Sequence, residues 1–170
     1  MIQVYYGNGK GKTTSAVGSA VRFAGCGNKV LFVQFLKNNN SGEFVVLKEI
    51  KGIDILFSQG QYNLYDNFKK ERASEFSEAY SKLLFEDVRN AARDYQMIIL
   101  DEILDTVEYG YVNEEKLVNL LTEMKSAVEI ILTGHRISEQ INNISDYVSE
   151  ILEIKHPYKS GILPRKGIEF

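Results

Sequence analysis

Lys12, Thr13 and Thr14 close a run that carries Gly7, Gly9 and Gly11. Those residue types in that order suit the binding of a phosphate chain. Glycines let backbone N–H groups converge on phosphate oxygens, and the start of a helix adds positive potential. A lysine reaches the phosphate tail, and a hydroxyl can ligate Mg²⁺. Gly7, Asn8, Gly9, Lys10, Gly11, Lys12, Thr13 and Thr14 are therefore the candidate nucleotide-binding residues, with Lys12 as the catalytic charge. The common spacing G-x-x-x-x-G-K-[ST] would put Tyr6 at the first glycine, so counting from Gly7 gives a loop one residue shorter.

A second set of chemical groups lies near the middle of the chain. Met97 to Leu100 is wholly apolar and runs into Asp101-Glu102. An acidic pair at the end of a buried strand suits Mg²⁺ or Mn²⁺ held jointly with Thr13, and Glu102 could complete the metal shell or activate water. The same carboxylates could instead cap a helix over Ile103 to Gly110. Thr133-Gly134-His135-Arg136 follows another apolar run, and Arg136 could bind phosphate. Gln34 stands at the end of a strand. Arg22, on the first helix, either reaches the nucleotide or faces water, and Glu43 follows a polar loop.

These groups need elements to position them. Ile2 to Tyr6 reads as a strand, and Ala16, Val17, Ala20, Val21 and Ala24 recur at helical spacing up to a stop at Gly25 and Gly27. Lys29 to Leu36 is a short apolar strand of the kind buried on both faces. Lys37 to Gly42 predicts a loop, Phe44 to Ile50 a short helix and Ile53 to Phe57 a strand. Ser58 to Lys70 is irregular, with Tyr62, Tyr65 and Phe68 placed to roof a flat ligand. Arg72 to Tyr95 carries one apolar stripe and predicts a single long helix. Glu114 to Lys125 predicts a helix, Val128 to Leu132 a strand, Gln140 to Ile144 a helix and Tyr147 to Ile154 a last strand. Alternating strands and helices predict an α/β fold, a mostly parallel doubly wound sheet with helices on both faces, as one domain over 1–170. Ligands then bind beyond the carboxyl ends of the strands, where the glycine loop, Gln34 to Lys37, Asp101-Glu102 and Thr133 to Arg136 all fall.

Composition narrows the classes. A net charge of −3 gives no general basic field and disfavours nucleic acid as a partner. Cys26 is the only cysteine, which excludes an intrachain disulfide, suits a reducing compartment and reads as a small core residue. The first strand follows Met1 directly, without a signal peptide, and no apolar run approaches the roughly 20 residues of a membrane span. A soluble cytoplasmic protein is expected.

Taken together the motifs resemble those of the P-loop ATP:corrinoid adenosyltransferases. GNGKGKTT at 7–14 is similar to that family's shortened loop, VQFLK at 33–37 with Gly42-Glu43 to its second-strand motif, and ILDEI at 99–103 to its acidic strand. ILTGH at 131–135 and KHPYKSGILPRKGIEF at 155–170 complete the resemblance. It implies a RecA-like fold, a homodimer, and transfer of the adenosyl group of ATP to Co(I) of a reduced corrinoid with release of triphosphate. A flavoprotein reductase would supply Co(I), and Glu102 would be a metal ligand and not a base. This chain differs from the family in carrying His135 where an arginine is usual. It also has no tryptophan for the Phe-x-Trp pair of better-known members, leaving Phe57, Tyr62 and Tyr65 as candidates for the corrinoid side. A small-molecule kinase or ATPase, and an ATP-dependent corrinoid-binding module, are the alternatives.

Overall fold

The computed structural model describes residues 1–37, 41–58 and 73–168. Among these residues six strands form one sheet: β1 Ile2–Tyr6, β2 Val30–Gln34, β3 Ile53–Phe57, β4 Met97–Asp101, β5 Glu129–Gly134 and β6 Tyr147–Glu150. Their order is β3-β2-β4-β5-β1-β6, and every neighbouring pair is parallel. The sheet is thus fully parallel, where the sequence pattern left room for an antiparallel member. All carboxyl ends consequently lie at one edge.

Each face of the sheet has its own core. On one face α1, Lys12–Gly25, lays Ala16, Ala20 and Ala24 against Val30, Phe32, Ile99 and Ile131. Alanine at each contact lets the helix lie close to the strands, which fixes the height of the loop at its start. Leu47 of α2, Gly42–Leu47, joins the same cluster. The opposite face is covered by α3, Ala73–Lys82, by α5, Ile103–Glu108, by α6, Glu114–Met124, and by α7, Glu139–Ile144.

Three expectations require correction. The stretch expected as one helix over 72–95 is broken: α3 passes into a π-helical turn at Leu83–Val88, then α4, Arg89–Ala91, and a 3₁₀ turn at Ala92–Asp94. The apolar residues Phe76, Tyr80, Leu84, Val88 and Ala92 recur every fourth position. On a regular helix each such step drifts by about 40°. The wider π turn takes up that drift and keeps all five side chains in the core. β6 ends at Glu150 instead of Ile154, because Ile151 leaves the sheet for the glycine loop. Cys26, expected in the core, is exposed at the end of α1. Tyr62, Tyr65, Phe68 and the middle of the 37–42 loop lie outside the described residues.

Candidate active site

The loop after β1 owes two of its glycines to a neighbouring strand end. Gly9 N–H donates to the Ile151 carbonyl at 2.8 Å, Ile151 N–H donates to Tyr6, and Glu153 N–H donates to Asn8 Oδ1 at 2.9 Å. A Cβ at Gly7 would run into the Ile151 carbonyl oxygen, and one at Gly9 into the Leu152 backbone. These glycines therefore allow the 151–153 backbone to brace the loop, and the Asn8 side-chain oxygen is committed to that brace. Gly11, at φ 118°, turns the chain into α1. Lys12 folds back so that its Nζ donates to the Gly9 carbonyl at 3.0 Å. Burial lowers its pKa, and Lys37 adds to that, against the carboxylates of Asp105, Glu102 and Asp101. Lys10 and Thr14 are exposed beside the loop.

The acidic pair meets the loop at the same edge. Asp101 is fully buried at the end of β4. Its Oδ1 accepts from the Thr13 hydroxyl at 2.9 Å and the Thr133 hydroxyl at 2.7 Å, and its Oδ2 accepts from Lys37 Nζ at 2.9 Å. Lys37 Nζ also donates to Thr13 Oγ1 at 3.0 Å and lies 3.3 Å from Glu102 Oε1. Burial pulls the Lys37 pKa down, but Asp101 and Glu102 outweigh it and hold the ammonium above the ordinary lysine range. Glu102 has a left-handed backbone, φ 64°, and its N–H donates to Thr133 Oγ1 at 2.8 Å. Its carboxyl is pushed up to about 7 by burial, with Asp101 and Asp105 adding and Lys37 opposing. No side-chain hydrogen bond caps α5. Glu102 stands at the N-cap position of α5 without such a bond, and Asp101 is committed to Thr13, Thr133 and Lys37, so hydrogen-bonded capping does not account for the pair.

Asp105 is an addition to the residues singled out from the sequence, while Lys37 and Thr133, expected at this edge only as parts of longer stretches, gain individual partners. Asp105, buried on the first turn of α5, accepts at Oδ1 from both the backbone N–H and the ring Nδ1–H of His135, each at 3.0 Å. The His135 pKa is raised by that hydrogen bond and the Asp105 charge, against burial and Lys12. The Gly134 and His135 carbonyls both face the Gly7 N–H at 3.2 Å, so the same turn is tied to the glycine loop. Gln34 is 2 % exposed at the end of β2, and neither polar atom of its amide has a partner among the described residues. A buried amide left unsatisfied suits a position completed by a ligand. Glu43 is half-buried in the first turn of α2 and adds negative potential at Lys37.

Two expected ligands are not brought to the loop. Arg22 is exposed in the last turn of α1, ten residues past Lys12 and about 15 Å along the helix. Arg136 is 80 % exposed and pairs with Glu108 at 3.0 Å, pointing its charge to the outer side of α5. Phe57, half-buried at the end of β3, packs edge-on against Phe44 with ring centroids 5.5 Å apart.

Thr13, Asp101 and Glu102 offer three hard oxygens at one point. Among the described residues no cluster of three or more His, Cys, Asp or Glu side chains could hold a metal alone. Two carboxylates and a hydroxyl beside a phosphate loop form the donor set Mg²⁺ takes when substrate phosphates and water supply the rest. The residues fit the ion.

Comparison with known proteins gives this geometry a family. The corrinoid adenosyltransferase of Escherichia coli K12 is 31 % identical over 172 residues, covering all of this chain and 85 % of its own. The corrinoid adenosyltransferase of a Sinorhizobium species is also 31 % identical, covering all of this chain and 80 % of its own. Among solved structures, the flagellar accessory protein FlaH of Methanocaldococcus jannaschii superposes with a TM-score of 0.55 at 15 % identity, over 88 % of this chain and 69 % of its own. ATPases 2 and 3 of EssC from Geobacillus thermodenitrificans give 0.54 at 16 %, over 98 % of this chain and 34 % of that one. At those identities the likeness is one of fold, a RecA-like P-loop α/β fold. The family model for the ATP:corrinoid adenosyltransferases BtuR/CobO/CobP matches residues 1–170, and the chain belongs to that family.

Proposed function

We propose that Lys12 and the loop N–H groups hold the triphosphate of ATP, that Thr13, Asp101 and Glu102 hold Mg²⁺ or Mn²⁺, and that Gln34 completes the substrate pocket. The reaction moves the 5′-deoxyadenosyl group of ATP to Co(I) of a corrinoid and releases triphosphate. A bond from cobalt to C5′ forms as the C5′–O bond breaks, and the electron pair of that bond leaves on triphosphate. The protein needs no nucleophile of its own. Its task is to spread charge over the leaving triphosphate and to align cobalt with C5′.

The observation that carries this reading is the convergence of Lys12, Thr13, Asp101 and Glu102 at one strand edge beside the start of α1. The divalent ion, when bound, neutralises phosphate charge. Lys12 has to leave the Gly9 carbonyl to reach the phosphates, and its partial burial keeps water from screening it there. The raised Glu102 carboxyl is a metal ligand and has no proton to abstract in this reaction. The exposed apolar side chains of β6 and the tail, with Ile154 at 81 % and Leu163 at 72 %, support a homodimer. A cytoplasmic protein supplied with Co(I) by a flavoprotein reductase completes the reading. Among the described residues no helix is long and apolar enough to cross a membrane.

The test is product analysis with ATP, Mg²⁺ and chemically reduced cobalamin. Inorganic triphosphate with the spectrum of a cobalt–carbon bond is expected. Phosphate or ADP without that spectrum would favour a kinase or ATPase, and tight binding without turnover a carrier. Replacing Lys12 by alanine removes a preorganised charge and should lower kcat about 100-fold or more. Near-normal turnover would remove the loop from the mechanism.

A further inference from the structure

The Lys37 ammonium sits where the three metal donors converge. Its three N–H bonds are matched by Thr13 Oγ1 at 3.0 Å, Asp101 Oδ2 at 2.9 Å and Glu102 Oε1 at 3.3 Å. Thr13 gives its proton to Asp101, so the lone pair it turns to Lys37 is the one a metal would take. Mg²⁺ binds oxygen at about 2.0–2.1 Å and would use the same lone pairs. Two cations cannot share them, because that would place like charges within a few ångströms of each other in a partly dry site.

The backbone around the pair is unusual. Leu36, at φ 54°, and Glu102, at φ 64°, are the two non-glycine residues with positive φ among the described residues. Leu36 immediately precedes Lys37, and Glu102 is its partner. Such conformations are disfavoured for side chains with a Cβ and persist where the surroundings impose them. Here both strained residues aim a charged side chain at the same point. Lys37 still keeps 20 % of its side chain exposed, whereas Asp101 has none, so the lysine is the partner with a way out to solvent.

We propose that the Lys37 ammonium and a divalent metal ion are alternative occupants of one position, and that binding of the metal–nucleotide complex drives Lys37 off Asp101 and Glu102. The inference rests on the reading of Thr13, Asp101 and Glu102 as the metal donors. The lysine pairs the buried Asp101 carboxylate, with the half-buried Glu102 carboxyl beside it, while the site waits, which avoids the large cost of an unpaired buried charge. It also sets a threshold: the metal has to displace a resident cation, so free metal binds weakly and the metal–nucleotide complex binds well. Released Lys37 is then free to pair with the phosphate chain. That makes it a positioning residue for metal entry.

Mn²⁺ binding to the full chain, followed by the paramagnetic resonance signal of free Mn²⁺, tests this without turnover. Without nucleotide, Lys37→Met should bind Mn²⁺ about tenfold or more tightly than the unaltered protein, since two carboxylates are left facing a vacant position. Lys37→Met combined with Asp101→Asn should lose that gain. A folded Lys37→Met protein with no gain would overturn the proposal. Asp101→Asn alone, tested with ATP, separates the two readings: undiminished Mn²⁺–ATP binding would overturn the metal assignment and the exchange together. Should Lys37→Met fail to fold, the unaltered protein still decides. The ¹H–¹⁵N signal of the Lys37 ammonium, assigned by its loss in Lys37→Arg, should stay in place with ATP alone and move or vanish when Mg²⁺ and ATP are both present. An unmoved signal with both, or one moved or lost with ATP alone, would overturn exchange with the metal.

Discussion

Asp101 and Asp105 lie four residues apart, and both carboxylates are buried at the same edge of the sheet, yet they hold different kinds of partner. Asp101 gathers side chains from three separate elements: Thr13 from α1, Thr133 from β5 and Lys37 from beyond β2. Among the described residues Asp105 gives its side-chain hydrogen bonds to a single residue, accepting from the backbone and the ring of His135, while its charge also reaches Lys12. One carboxylate gathers groups around a cation position. The other fixes a turn, and that turn is in turn tied to Gly7. Burial alone would rank them equally, at 0 % and 3 % exposed. The difference lies in how many elements must be in place before the bonds can form, and a group that depends on several elements is the more sensitive to substitution.

The sharpest way to break the contrast is to neutralise each in turn. Asp101→Asn keeps the shape but presents an amide N–H₂ either to the Lys37 ammonium or to the two hydroxyls. Removing one partner of a buried ion pair costs several kcal/mol, and Glu102 remains to relieve part of it, so a loss of about 2 kcal/mol is expected by urea unfolding. The Mg²⁺ concentration needed for half-maximal turnover should also rise about tenfold or more. Asp105→Asn retains an oxygen for the His135 N–H and should cost only about 1 kcal/mol with an unchanged Mg²⁺ requirement. Equal effects on the Mg²⁺ titration would mean that both belong to one site.

The sequence was most informative where a residue's role is local. The loop from Gly7 to Thr14, the apolar β4 ending in Asp101, and the helices at Glu114 and Glu139 follow from spacing and patterning, and all lie close to the expected bounds. What could not be read depends on contacts between distant segments. The patterning places Lys37 at the right strand edge and at the head of a polar loop, but nothing in its own neighbourhood shows that β2 runs beside β4 and delivers its ammonium to Asp101. Asp105 lay inside a helical run, and only the placement of α5 against β5 brings His135 to it. Gly134 marks that approach, since a Cβ there would meet the Leu104 side chain. The glycines of the loop were found for a reason that proved incomplete, as Gly7 and Gly9 also admit the 151–153 backbone. Arg22 is a candidate by its place on the helix after the loop and Arg136 by the strand end it follows, but helix geometry carries one away while Glu108 holds the other.

Glu102 offers a smaller test of the Asp101 side. Its folded pKa of about 7 is above the unfolded value of 4.5, so between those limits the folded chain binds a proton that the unfolded chain has released. Stability should therefore fall as pH rises through that window and level off above it. Glu102→Gln removes the titration. The melting temperature of the variant minus that of the unaltered protein should climb from pH 5 to pH 8, while the variant needs more Mg²⁺ for turnover. A difference that falls with pH would mean that attraction to Lys37 outweighs the cost of burial.

The smallest expected effect belongs to Asp105, and its pH dependence runs in the same direction, although here the charged form is the favoured one. The His135 pKa lies above its ordinary 6.5 because the Asp105 carboxylate holds the ring N–H and the charge together. A histidine of raised folded pKa contributes stability that is fully present below the unfolded value and is lost as pH rises through the folded one. His135 is 58 % exposed, so solvent screens the pair and the contribution stays under about 1 kcal/mol. His135→Gln leaves the backbone N–H bond to Asp105 and removes only the titrating ring. The unaltered protein should then be more stable than the variant near pH 6, with the gap closing toward pH 9, as read from urea midpoints at fixed ionic strength. Repeating the pair in an Asp105→Asn background identifies the cause. With the carboxylate gone the pH dependence of the gap should disappear. If the gap keeps its slope there, the imidazolium is held by the carboxylates around Lys12 instead, and the division between the two aspartates drawn above would have to be abandoned.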